Sequence, residues 1–90
     1  MRGEYAVSLS GHDRGKVYII IEENEKYLML SDGKLKPLEK LKKKNPRHVQ
    51  IVKKHTYNKE IIGKLERNEK LLNEEIKRAI KLYTSSAALL

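Results

Sequence analysis

Ninety residues allow one small domain, whose folding buries only about 60 to 65 % of the surface the unfolded chain exposes. The absence of cysteine excludes disulfides, thiolate nucleophiles and Cys-ligated zinc, and short apolar runs, with no export segment in MRGEYAVS, predict a soluble, cytoplasmic protein that crosses no membrane. Lys and Arg number 20 against 12 Asp and Glu, a formal net charge of +8. Nine of those cations and a single acid, Glu39, fall between Lys34 and Lys54, so the rest of the chain is neutral. Such one-sided charge either attracts a polyanion, of which nucleic acid is the commonest in a cytoplasm, or forms a solvated lysine face.

In chain order, Tyr5, Val7 and Leu9 alternate with small residues, the period-two pattern of a strand with one buried face. Val17, Ile19 and Ile21 repeat it, and because Tyr18 and Ile20 are also apolar this second strand should be covered on both faces. EENEK reads as a turn. The third run, YLMLS, leads into Asp32-Gly33, which predicts a tight hairpin with KLKPL as the return strand, held to an edge by Pro37. A lysine-rich connector, EKLKKKNPRH, then reaches a last strand from Val49 to Val52. Short strands joined by tight turns, without crossover helices, predict a mainly β protein: a small five-stranded antiparallel barrel. Its core would be Val7, Leu9, Val17, Ile19, Ile21, Leu28, Leu30, Leu35, Val49 and Ile51.

From Asn58 the period becomes helical, with Ile61, Ile62, Leu65, Leu72, Ile76, Ala79, Ile80 and Tyr83 at helical spacing. One long helix would put Asn68 inside its apolar stripe, so two short helices fit better. Asn58 would cap the first, Asn68 would end it in a left-handed conformation, and Asn73 would cap the second. The uncharged tail TSSAALL should fray. The chain thus divides into a barrel over 1–54, a helical extension over 55–84 and a flexible tail over 85–90. Tyr18, Ile20, Tyr27 and Met29 would share the outer face of neighbouring strands, either seating the helices or stacking unpaired bases.

The stretch SLSGHDRGKVY carries the chemistry. Gly11 and Gly15 permit backbone angles closed to other residues, Asp13 can bond the turn's own amides, and Arg14 and Lys16 then sit on a stiff bend. Such a loop brings N–H groups and two cations near one point, which suits phosphate oxygens. It is not a nucleotide-binding P-loop, because the G-x-x-x-x-G-K-[ST] spacing is absent and a strand, not a helix, follows. Gly11, Asp13, Gly15 and Lys16, with the hydrophobic strand after them, resemble the KOW motif of large-subunit ribosomal proteins and NusG-type transcription factors. The DGK turn, the KKKNPRHV segment and a short helical tail extend this resemblance to small bacterial KOW-domain proteins related to archaeal and eukaryotic large-subunit ribosomal proteins. The resemblance implies an SH3-like barrel that binds ribosomal or other structured RNA in the cytoplasm, associated with the ribosome and translation, without catalysis and without a cofactor.

On that reading the RNA-binding residues are Gly11, His12, Arg14, Gly15 and Lys16 of the loop and Lys34, Lys36, Lys42, Lys43, Lys44, Arg47 and His48 of the basic segment. The partner is large-subunit ribosomal RNA, with neighbouring ribosomal proteins beside it. His12, His48 and His55 lack the close pairing of metal ligands, and Ser8, Ser10 and Ser31 lack the context of an activated nucleophile, so we expect neither a metal site nor an enzyme. Two rival readings stand beside this one. A NusG-like transcription factor usually adds a larger domain, for which ninety residues leave no room. A protein-interaction module would show an exposed Tyr18/Tyr27 patch.

Overall fold

A computed structural model describes residues 1–53 and 56–88; Lys54, His55 and the last two residues of the tail lie outside it. Five strands, β1 (Tyr5–Ser8), β2 (Val17–Glu23), β3 (Leu28–Ser31), β4 (Lys42–Lys44) and β5 (Val49–Val52), are followed by two helices, α1 (Lys59–Glu66) and α2 (Asn73–Ala88). All the strand pairs are antiparallel, and the order is β4-β3-β2-β1-β5. The sheet's two edges, β4 and β5, are neighbours in sequence. They are joined through a 3-10 turn, Pro46–His48, and no ladder links them among the described residues, so the expected barrel is not closed.

Each face of the sheet carries its own core. On one face Tyr5, Ile19 and Ile21 pack against Ile61 and Leu65 of α1 and Ile76 and Ala79 of α2. On the other, Ala6, Tyr18, Ile20, Leu28, Leu30 and Val49 form a second cluster made entirely of strand residues. A sheet that buries one face without help from a helix must curl over itself. The register shift between Ile20 and Glu22 supplies part of that bend. As expected, β2 is apolar on both sides and covered on both.

The allocation of residues to faces differs from the expected barrel core. Pairing of Ile20 with Leu30, and of Ile19 with Ser31, sends Ile19 and Ile21 to the helices and Tyr18 and Ile20 to the strand-only core. A one-residue offset exchanges every side chain between faces, and a strand apolar on both sides does not reveal its offset. The helices therefore seat on Tyr5, Ile19 and Ile21, not on Tyr18 and Ile20. Leu9 and Leu35, also expected inside, are exposed, Leu35 to 71 %.

The Asp32-Gly33 hairpin does not form. Gly33 has the positive φ expected, but KLKPL is a loop, and the strand that pairs with β3 is β4, further along the chain. The Asp32 carboxylate accepts from the backbone N–H of Lys34 (2.9 Å) and of Lys36 (2.8 Å), while the Ser31 hydroxyl accepts from Gly33 N–H and donates to the Lys36 carbonyl. These side chains take amides that a ladder would need, and Pro37 has none to offer.

Two helices are present, and Asn68 separates them at φ 54°, as its place in the pattern predicts. The other two asparagines do different work. Asn58 precedes α1 but makes no cap; fully buried, its amide donates to the Gly3 carbonyl at 2.8 Å. At α2 the Glu75 carboxylate reaches back to Leu72 N–H (2.9 Å) in the manner of a capping box. That frees Asn73 to accept from Leu38 N–H (2.7 Å) and donate to Glu39, which pins the 32–41 loop to the helix. The α2 helix runs on to Ala88, and Tyr83 stacks on Tyr5 at 4.3 Å between ring centres.

Candidate nucleic-acid interface

The glycine loop closes tightly on the strands that flank it. Gly15 N–H donates to the Ser8 carbonyl and Ser8 N–H to the Lys16 carbonyl, while Arg14 N–H and Lys16 N–H bond back to Gly11 and Asp13. Both glycines have positive φ, +85° and +87°, so the bend needs them for conformation. One expectation fails here: the amides of Arg14, Gly15 and Lys16 are consumed within the loop and are not presented to an anion.

The Asp13 side chain does not bond the turn's amides either. It points inward and gathers three elements, accepting from Ser8 Oγ (2.8 Å), Tyr18 OH (2.7 Å) and Lys44 Nζ (2.8 Å), with Lys42 Nζ at 3.7 Å. Burial alone would raise its pKa. The Lys44 ammonium, the two hydroxyls and the charge of Lys42 outweigh that and hold the carboxyl well below the usual range. Tyr18 is affected in the opposite sense, its phenol pushed up by burial and by donation to the Asp13 carboxylate. Lys44 Nζ also donates to the Ser10 carbonyl at 3.0 Å. The loop and the lysine strand, 31 and 34 positions apart at these two contacts, are thereby locked together.

A second acid plays a similar part. Asp32 Oδ2 lies 2.6 Å from Lys16 Nζ. Burial opposes the charge on this carboxylate, but Lys16 and the amides of Lys34 and Lys36 prevail and lower its pKa.

The cations expected to touch RNA consequently fall into two sets. Lys16, Lys42 and Lys44 are committed to Asp13 and Asp32. His12, Arg14, Lys34, Lys43, Arg47 and His48 are exposed, Lys36 is half-buried, and none of these seven enters an ion pair among the described residues. Strand alternation explains why the KKK run divides: Lys42 and Lys44 turn toward Asp13, while Lys43 projects from the opposite side, its ammonium 4.4 Å from the centre of the Tyr27 ring. Arg47 and His48 ride on the 3-10 turn, whose Asn45 side chain caps Arg47 N–H at 2.9 Å. The His48 carbonyl accepts from Leu9 N–H (2.8 Å), so this turn adjoins the glycine loop.

Sequence reading missed a further part of the basic surface. Lys77 and Lys81, one helical turn apart on α2, line a cleft of about 520 Å³ with Gly15, Lys16 and Lys34. Their i, i+4 spacing was visible, but nothing in it said that α2 would lie beside the glycine loop. No cluster of His, Asp or Glu suited to a metal ion occurs among the described residues. Nor is any described helix long and apolar enough to cross a membrane. No protein-family model matches the chain, and comparison with curated proteins yields no match.

Proposed function

We propose that this protein binds RNA without catalysis, docking on large-subunit ribosomal RNA through the exposed cations of the glycine loop, the basic segment and the 3-10 turn. The observation that carries the reading is the junction at Asp13. One partly buried carboxylate fastens the loop to β4 and leaves His12, Arg14, Arg47 and His48 exposed, with no ion pair among the described residues, while Lys43 is exposed on the other side of β4. The curled sheet, with its strand-only core and a 3-10 turn leading into β5, supports an SH3-like architecture of the KOW kind. Arg47 offers more than charge, since its planar guanidinium stacks on a base or binds bidentately. Tyr18 is only 1 % exposed, so the surface tyrosine patch that would mark a protein-interaction module is absent there.

The test is binding to a structured ribosomal RNA fragment across a salt series. With about five phosphates engaged, affinity falls roughly a hundred- to thousandfold between 50 and 200 mM salt, and a salt-insensitive complex refutes the mechanism. Sedimentation of the endogenous protein through a sucrose gradient supplies the biological arm. Co-migration with large subunits at low salt supports the ribosomal assignment; a polymerase fraction favours a NusG-like factor instead.

A further inference from the structure

The cleft between the glycine loop and α2 has a composition that the loop alone does not explain. Its floor is aliphatic, from Val17 of β2 and Ile80 of α2, both only partly buried. Around it stand Lys16, Lys34, Lys77 and Lys81, against one acid, Asp32, whose carboxylate is already bound to Lys16 at 2.6 Å and to two backbone amides. Lys77 pairs with Glu74 at the solvent edge, which leaves Lys34 and Lys81 as exposed cations with no ion pair among the described residues. The wall at Gly15 is bare: a Cβ built there would meet nothing within 4 Å. Thr84 adds a hydroxyl at the rim. An apolar floor beneath two unpaired cations and a hydroxyl matches a ligand with a flat, weakly polar body and an attached anion. A volume of about 520 Å³ lies in the range of small-ligand sites.

We infer that this cleft receives one unpaired nucleotide of the bound RNA, its base on Val17 and Ile80 and its phosphate between Lys34 and Lys81. The inference rests on the RNA-binding reading. Continuity supports it, because Arg14, an exposed cation of that interface, immediately precedes the bare wall at Gly15. A strand that engages Arg14 therefore reaches the cleft directly. Unstacked bases are what proteins read in RNA, since the deep groove of the paired helix is closed to side chains.

The test compares two labelled RNA hairpins, one with a fully paired stem and one identical except for a single bulged nucleotide. Wild-type protein should prefer the bulged hairpin about tenfold, the scale of one base contact with its phosphate. Lys81→Glu and Lys34→Glu, both at exposed positions and so expected to fold, should abolish that preference, whereas Arg47→Glu should weaken both RNAs alike. Amide resonances of Gly15 and Thr84 should shift with the bulged RNA and not with the paired one. If Lys81→Glu weakens both hairpins equally and those amides do not move, the cleft contributes only long-range charge and the inference is overturned while the RNA-binding reading stands. If wild-type protein binds neither hairpin, both are overturned.

Discussion

Asp13→Asn is the most informative single change. It preserves shape but turns a carboxylate that accepts three hydrogen bonds into an amide that places a donor among donors. It also strands the Lys44 ammonium, whose side chain is only 9 % exposed. Removing one partner of a buried ion pair costs about 3 to 5 kcal/mol. We take about 3 kcal/mol, because Asp13 itself is 13 % exposed and Lys44 has a flexible stem with which to reach water. At about 4 to 8 °C per kcal/mol for a domain of this size, the melting temperature should fall by roughly 12 to 24 °C. Equilibrium urea unfolding gives the energy directly, and adding Lys44→Met to Asp13→Asn should recover much of the loss. The RNA readout is sharper still, since the substitution raises the net charge by one. If charge alone governed binding, affinity would rise. If Asp13 organises the surface, affinity falls. A variant within about 1 kcal/mol of wild type, the scale of one ordinary hydrogen bond, with RNA affinity unchanged or improved, refutes the role assigned to this residue.

The two sets of cations should separate in the same assays. Replacing Lys42 and Lys44 by Ala should appear mainly as lost stability, whereas Arg14, Lys43 and Arg47 to Ala should leave the unfolding midpoint near wild type and flatten the salt dependence by up to three phosphates' worth of slope, each about 0.7 to 0.9. Among the glycines, Gly33→Ala should be much worse than Gly15→Ala. Both have positive φ, costing about 1 to 2 kcal/mol, but a Cβ at Gly33 would lie 2.5 Å from the Asn73 carbonyl oxygen and at Gly15 would meet nothing; comparable unfolding energies would contradict that packing. In acid, the depressed carboxyls of Asp13 and Asp32 contribute stability that is present above the unfolded value of about 3.9 and lost as pH falls below it, and Asp13→Asn should flatten this limb of the pH profile. In alkali the sign reverses. Burial, with Tyr83 and Tyr57 nearby, pushes the Tyr5 phenol up to about 12, so its contribution is complete below pH 10 and drains away between 10 and 12 at about 1.4 kcal/mol per unit. Tyr5→Phe, which loses the 2.9 Å hydrogen bond to the Ala79 carbonyl, should remove that tyrosine's share of the slope in unfolding measured across this range.

Four of the five strands were legible because alternating apolar residues between turn signals leave few other choices, and Asn68 was legible because it interrupts an apolar stripe. The strand β4 was hidden for the opposite reason. Lys42–Lys44 contains no apolar residue, so its place rests on pairing with β3 and on Asp13, neither of which has a periodic signature. The expected return strand failed where side chains of Ser31 and Asp32 outcompeted the ladder. Face allocation was also unreadable, since an apolar run such as β2 fits either offset equally well. At the site, the basic segment and the glycine loop were both visible as charge and as glycine spacing. Which lysines are spent on carboxylates was not, because ion pairing depends on distances between segments remote in sequence, as for Lys44 and Asp13, 31 positions apart. Only two acids, Asp13 and Asp32, decide the matter for Lys16, Lys42 and Lys44.

The seat of α2 on β1 also bears on how the chain matures. Tyr5 waits for a hydrogen-bond acceptor 74 positions later and for a ring that follows it still further on, at Tyr83. During synthesis the amino-terminal strand emerges long before those partners, with its aromatic side bare until α2 arrives. Contacts of such long sequence separation are slow to close. Completion of the fold is thus deferred to the turns of α2 that carry Ala79 and Tyr83, and a chain cut short before residue 79 would keep Ile61, Leu65 and Ile76 on this face but leave Tyr5 incompletely covered, inviting aggregation or proteolysis.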